Sequence, residues 1–235
     1  MDNGRREEIV EVLRHTPTGN ICDAMRRVGV SGYFKGLAPL QDKLSFNMVG
    51  PAATVAFIPR QAGYEVKGLG TFNLVRRTPA GSVLVFAALG SGCWVTGGNV
   101  GQLMMTQGLA GMVVDGCVRD KSELAGRSLP VYCAGAGTKP YAEEIQCSGF
   151  NVPVDACGVR INPGDILVGD EDGILLIPPD KLEDVYRQLA DIADIEEKLP
   201  LAISSGASLE EINAIAARKS VPVPGPAEEK IGGPR

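Results

Sequence analysis

The sequence predicts an α/β protein built on a sheet covered on both faces, and three features say so. VLVFAAL (83–89) is an unbroken apolar run of strand length, the pattern of a strand buried on both sides. A glycine-rich stretch, a short helical pattern and a second strand (111–115) follow, forming a β–α–β-like unit. Thirty of the 235 residues are glycine and only 5% are aromatic, a composition that suits tight strand–helix turns. At this length one domain with a sizeable core is expected. Residues 1–199 are read as that domain, and 200–235 as a C-terminal helix with a Pro/Gly-rich tail.

Each element has its own signal. Residues 5–15 set Ile9, Val10, Val12 and Leu13 among charges, an amphipathic helix. Thr18 or Asn20 would cap a second helix over NICDAMRRVGV, closed by Gly29. MVGPAATVAFI (48–58) is a strand, with Pro51 as an edge or entry signal. Residues 64–76 are weakly helical, and TPAGS turns the chain into the 83–89 strand. GSGCWVTGGNV (90–100) reads as a glycine-rich loop, 99–107 as a helix and GLAG (108–111) as its C-cap.

After Asp120 the pattern breaks into short strands, LPVYCAG, NVPVDAC and GVRI, and NPGD is a turn. ILVGDEDGILLIP is a strand–turn–strand with an exposed acidic bend and Gly173. Residues 178–199 form a long helix with Pro179 near its start. SLEEINAIAARK (208–219) is a helix opened by a Ser208–Glu211 capping box. VPVPGPAEEKIGGPR is expected to be disordered or extended over a partner.

Composition excludes several functions. A net charge of −5 argues against non-specific nucleic-acid binding. No apolar run approaches the roughly 18–20 residues that span a bilayer, so no membrane partner is expected. The charged start MDNGRREEIV lacks a signal-peptide core, which makes a cytoplasmic location the expectation. The six cysteines are scattered without a CxxC pair and read as buried reduced thiols, Cys117 included. The single histidine, His15, sits at a helix end and offsets its dipole. Two-histidine metal sites are therefore impossible, and carboxylates, Arg, Lys, water or a hard metal must carry any chemistry. Trp94, the only tryptophan, reads as packing.

One stretch stands apart. VVDGCVRD (113–120) runs a buried strand into adjacent opposite charges, Arg119 and Asp120. The preceding unit ends in GGNV (97–100) at a helix start, where free N–H groups can meet an anion. Arg119 offers a planar fork for a carboxylate or phosphate, and Asp120 can hold a hard divalent cation. Such a group would suit a 2-oxo acid. Taken alone, the same residues also fit a simple turn and a solvated strand end.

GLAGMVVDGCVRD resembles the signature of the family of class II pyruvate aldolases acting on 4-hydroxy-4-methyl-2-oxoglutarate and 4-carboxy-4-hydroxy-2-oxoadipate. That family also contains the regulator of ribonuclease activity A. NICDAMRRVG, GLAPL and VGPAATV resemble its N-terminal part, and INPGDILVGDEDGILLIP its C-terminal one, so the likeness runs in order over most of 18–180. It implies a three-layer β/β/α fold of the swivelling type with C-terminal helices, assembled as a homotrimer or homohexamer. By the same resemblance Arg119 binds the pyruvyl carboxylate and keto oxygen, and Asp120 anchors Mg²⁺ or Mn²⁺. The amides around Gly98, Asn99 and Val100 hold the C1 carboxylate.

The implied activity is metal-dependent retro-aldol cleavage of a 4-hydroxy-2-oxo acid to pyruvate, with oxaloacetate decarboxylation from the same site. The alternatives are a non-catalytic ribonuclease regulator and a lyase on another small 2-oxo acid. The regulator branch typically lacks the Asp after the Arg, so Asp120 favours the enzyme. The aldolases also carry an acid in the glycine loop, separated from the arginine by twenty residues; here Gly98 stands there, beside Asn99. A glutamate from a neighbouring subunit's C-terminal helix corresponds in region to Glu196 or Glu197, with the register open.

Overall fold

A computed structural model of the chain describes residues 2–64 and 66–225. In chain order the elements are α1 (Asn3–His15), α2 (Thr18–Arg27), β1 (Ala38–Pro39), β2 (Met48–Pro59), α3 (Thr71–Arg77) and β3 (Val83–Thr96). Next come α4 (Gly98–Thr106), β4 (Gly111–Val118), α5 (Lys121–Ala125), β5 (Val131–Ala136), β6 (Ile145–Phe150) and β7 (Val154–Ala156). The chain continues with β8 (Val159–Ile161), β9 (Ile166–Asp170), β10 (Gly173–Ile177), α6 (Leu182–Ser204) and α7 (Leu209–Ala217).

β3 shows why the sheet reads as continuous apolar sequence. Val83, Val85 and Ala87 join one buried cluster, while Leu84, Phe86 and Ala88 join another. That alternation is the two-residue period of a strand, and both faces are covered. β2, β3, β4 and β5 run parallel, and the short β1 closes the β5 edge antiparallel. β2 is the hub. Its first residues pair with β9, its last with β6, and β9 turns back into β10.

Three cores stack through the molecule. On one face of the parallel strands α3, α4 and α5 contribute Leu74, Val75, Met104 and Leu124. On the other, the β7–β8 hairpin and β9–β10 contribute Val154, Ile161, Leu167 and Leu176. The far side of β9–β10 then packs Ile166, Val168 and Ile177 against α1, α2 and α6. The result is a mixed α/β fold with a large central sheet and C-terminal helices, as the sequence indicates.

Several elements differ from expectation. The stretch 90–100 is not a loop: β3 continues through it to Thr96 because its backbone finds partners again beyond a bulge. The helical signal over 64–76 yields only the seven residues of α3. α6 runs through Pro200 to Ser204, past the 199/200 boundary; a proline near the last turn removes one backbone donor and does not stop the helix.

Neither Thr18 nor Asn20 caps α2. Pro17 is the N-cap, and the Asp170 carboxylate receives the Thr18 N–H at 2.8 Å and its hydroxyl at 2.7 Å. Asp170 is therefore buried, not part of an exposed bend. α1 and the Ser208–Glu211 capping box form as expected. No helix among the described residues is long and apolar enough to cross a membrane. All six cysteines are free thiols. The expectation for the tail beyond Gly225 falls outside the described residues.

Candidate active site

The site is made by a bulge. Between the pairs Phe86–Val114 and Ser91–Gly116, β3 advances five residues where β4 advances two. Leu89 and Gly90 absorb the excess in left-handed backbone, φ 60° and 64°. Gly116 admits the bulge, since a Cβ there would lie 3.0 Å from the Ser91 carbonyl oxygen. Pairing then resumes at Trp94–Cys117 and Thr96–Val118, and the Arg119 N–H donates to the Thr96 carbonyl at 3.0 Å. Both strands consequently end side by side, and Gly97–Gly98 comes to lie against Arg119–Asp120.

The contact leaves no spare volume. A Cβ on Gly97 would stand 2.5 Å from Asp120 Oδ2 and 2.7 Å from Arg119 Cγ. Asp120 has φ 56°, a left-handed conformation that Asp adopts more readily than most residues. This turn folds its carboxylate back so that the Gly98 N–H donates to Oδ2 at 3.0 Å. The start of α4 thus holds the chain's own carboxylate, the charge that a helix N-terminus favours. The Val100 N–H donates to the Gly97 carbonyl at 3.1 Å, inside the first helical turn, and Asn99 is exposed.

Arg119 lines a cavity of about 550 Å³ with Trp94, Asp120, Ala136, Gly137, Thr138 and Pro140, a size suited to small-molecule ligands. Its guanidinium carbon sits 4.2 Å from the centre of the Trp94 ring, and its Nε is 3.5 Å from Asp120 Oδ2. The Trp94 indole N–H donates to the Thr138 carbonyl at 3.0 Å. The loop beneath is pinned by a Lys139–Glu144 ion pair at 2.5 Å, and Lys139 holds the Glu144 carboxyl below its usual range.

Two residues enter the site without a sequence signal. Trp94 does not simply fill the core; it forms a wall of the cavity. Glu123, on α5, occupies the space beside Gly98: a Cβ on Gly98 would overlap its carboxylate. Glu123 also pairs with Arg127. The Glu123 carboxylate thus lies where a side chain at position 98 would begin.

Among the described residues no group of three His, Cys, Asp or Glu side chains could hold a metal. Asp120 and Glu123 do bring two carboxylates to the edge of Gly98, a donor set that fits a hard divalent cation keeping most of its waters. Of the two glutamates expected to reach a neighbouring subunit, Glu196 pairs within the chain with Lys219, and Glu197 is exposed on α6.

Comparison with known proteins decides the lineage: the Aldolase/RraA model of the RraA-like family matches residues 18–176. The chain belongs to the RraA-like family. A relative in Halalkalibacterium halodurans, provisionally named a 4-hydroxy-4-methyl-2-oxoglutarate aldolase, is 31% identical and covers 77% of this chain and 81% of its own. Protein DlpA of Legionella pneumophila is 30% identical over 86% of this chain, which spans only 33% of DlpA's length. Among solved RraA-like structures, Streptomyces coelicolor RraAS2, described as an unusual member of the RNase ES inhibitor RraA family, superposes with a TM-score of 0.72. It is 27% identical and covers 84% of this chain and 96% of its own.

Proposed function

We propose that the chain cleaves the C3–C4 bond of a 4-hydroxy-2-oxo acid and releases pyruvate, with Mg²⁺ or Mn²⁺ held at Asp120. The observation that carries this reading is that the Arg119 guanidinium and the Asp120 carboxylate line one cavity, with Asp120 held from behind by the Gly98 N–H. The provisional aldolase name of the Halalkalibacterium relative supports the same reaction class.

Arg119 would donate from its fork to the substrate carboxylate and the 2-oxo oxygen. As the C3–C4 bond breaks, its electron pair forms the C2=C3 bond and the carbonyl pair moves onto the 2-oxo oxygen, while the 4-hydroxyl passes its proton to water and C4 becomes a carbonyl. Arg119 lies where the enolate charge grows and stabilises it. A proton from water at C3 then completes pyruvate. A divalent cation at Asp120 would supply a Lewis acid for the same charge. Loss of CO₂ from oxaloacetate leaves the same enolate, so decarboxylation is part of the proposal. So is assembly into a trimer or hexamer, in which Glu197 would face a neighbouring copy.

A lactate dehydrogenase-coupled assay tests this with oxaloacetate and with 4-hydroxy-2-oxo acids. Pyruvate release is expected with Mg²⁺ and should vanish with EDTA. Arg119→Ala should lower it by about a hundred- to a thousandfold, the scale for one lost donor to a developing oxyanion. A chain that turns over neither substrate, yet inhibits a ribonuclease, would instead follow the regulator reading that the likeness to RraAS2 favours.

A further inference from the structure

We infer that Trp94 is the positioning residue of this site: its indole face fixes the Arg119 guanidinium and leaves the terminal nitrogens to a planar 2-oxo carboxylate. The inference rests on the reading of the Arg119 cavity as a 2-oxo acid site. An arginine at a strand end, with half of its side chain exposed, ordinarily keeps much of its rotamer freedom. Here its guanidinium carbon is 4.2 Å from the Trp94 ring centre, well within the roughly 6 Å over which cation–π attraction acts.

Trp94 is itself immobilised. Its backbone N–H donates to the Lys139 carbonyl at 2.9 Å and its indole N–H to the Thr138 carbonyl at 3.0 Å. Its ring meets Tyr141 edge-on, with centroids 6.5 Å apart at 82°. A rigid aromatic plate thus backs a flexible cation.

The choice of an aromatic partner has a chemical consequence. A carboxylate clamp would consume the terminal N–H groups that an anionic ligand needs. A ring face attracts the cation without using those donors. The single ion-pair contact of Arg119 among the described residues is through Nε, to Asp120 at 3.5 Å. The fork is oriented while its outer hydrogens stay available, which is what bidentate binding of a carboxylate requires.

Trp94 is also the chain's only tryptophan, so its emission reports this one place. The first arm of the test needs no turnover. Removing the guanidinium in Arg119→Ala exposes the ring face to water, and the emission should move to longer wavelength. An unchanged spectrum overturns the stacking.

The second arm is kinetic, with oxaloacetate and Mg²⁺. Trp94→Leu, which removes the ring, should raise KM about tenfold, equivalent to about 1.4 kcal/mol and within the range of a cation–π pair, with kcat within about threefold. Trp94→Phe keeps a ring face and should restore KM to within about threefold of the unaltered chain. Equal losses in the Phe and Leu variants would mean that the indole hydrogen bond to Thr138 matters rather than the face, and would overturn the inference. If the unaltered chain releases no pyruvate, the 2-oxo acid reading fails, while the emission comparison still decides the Trp94–Arg119 contact.

Discussion

Gly97 and Asp120 constrain each other at the scale of single atoms. A methyl group on Gly97 would fall on Asp120 Oδ2 and Arg119 Cγ, both parts of side chains rather than backbone. Gly97→Ala should therefore displace the two charges while leaving the fold almost intact. We expect at least a tenfold loss of pyruvate release with little change in Tm, read by the coupled assay and by thermal melting. Arg119 and Asp120 were legible through the likeness of GLAGMVVDGCVRD to a family signature; as bare adjacent charges at a strand end they fit a solvated turn equally well. Trp94 and Glu123 were not. A lone aromatic has no period to betray its face, and both contacts are made between elements by the β3 bulge and the short α5.

Between elements, the least expected feature is the clamp joining α2, α6 and the start of the tail. The Arg27 side chain is fully buried and pairs with Asp191 at 2.8 Å while donating from Nε to the Lys219 carbonyl at 3.0 Å. Gln188 brackets the Val223 backbone, accepting its N–H at 2.7 Å and donating to its carbonyl at 3.1 Å. Arg27→Met should cost about 2 kcal/mol, because it leaves the Arg218 and Lys219 carbonyls without their donor and Asp191 with Arg218 as its remaining partner; urea melts would read it. Arg27 first, then Arg218, holds the Asp191 carboxyl below the usual range.

A depressed folded value stabilises above the ordinary carboxylate pKa, and that contribution is lost as pH falls through the folded one. Tm should therefore drop on the acid side of about pH 4, and Arg27→Met should flatten that limb. Equal acid slopes in both chains would exclude Asp191 as the cause. No sequence pattern announces this clamp, since its partners lie about 160 to 190 residues apart. The long helix over 178–199 was readable; its passage through Pro200 to Ser204 was not, because a proline in a sequence reads as a stop.

Over the whole molecule, the sheet was the most legible layer. Strands such as VLVFAAL must bury both faces, and the three stacked cores provide the cover. What sequence could not give was the topology at β2, whose twelve residues serve β9, β3 and β6 in turn. Register and bulges depend on pairings made across the chain, not on local propensity. That hub has a functional result: it fixes β3, which with β4 carries the two glycines to the two charges.

Asp120→Asn probes this arrangement most directly. Asparagine accepts the left-handed backbone and can still receive the Gly98 N–H, so only the negative charge is removed. Pyruvate release from 4-hydroxy-4-methyl-2-oxoglutarate at saturating Mg²⁺ should fall at least about a hundredfold while Tm stays within a few degrees. Release at an undiminished rate would place the chemistry somewhere other than the end of β4.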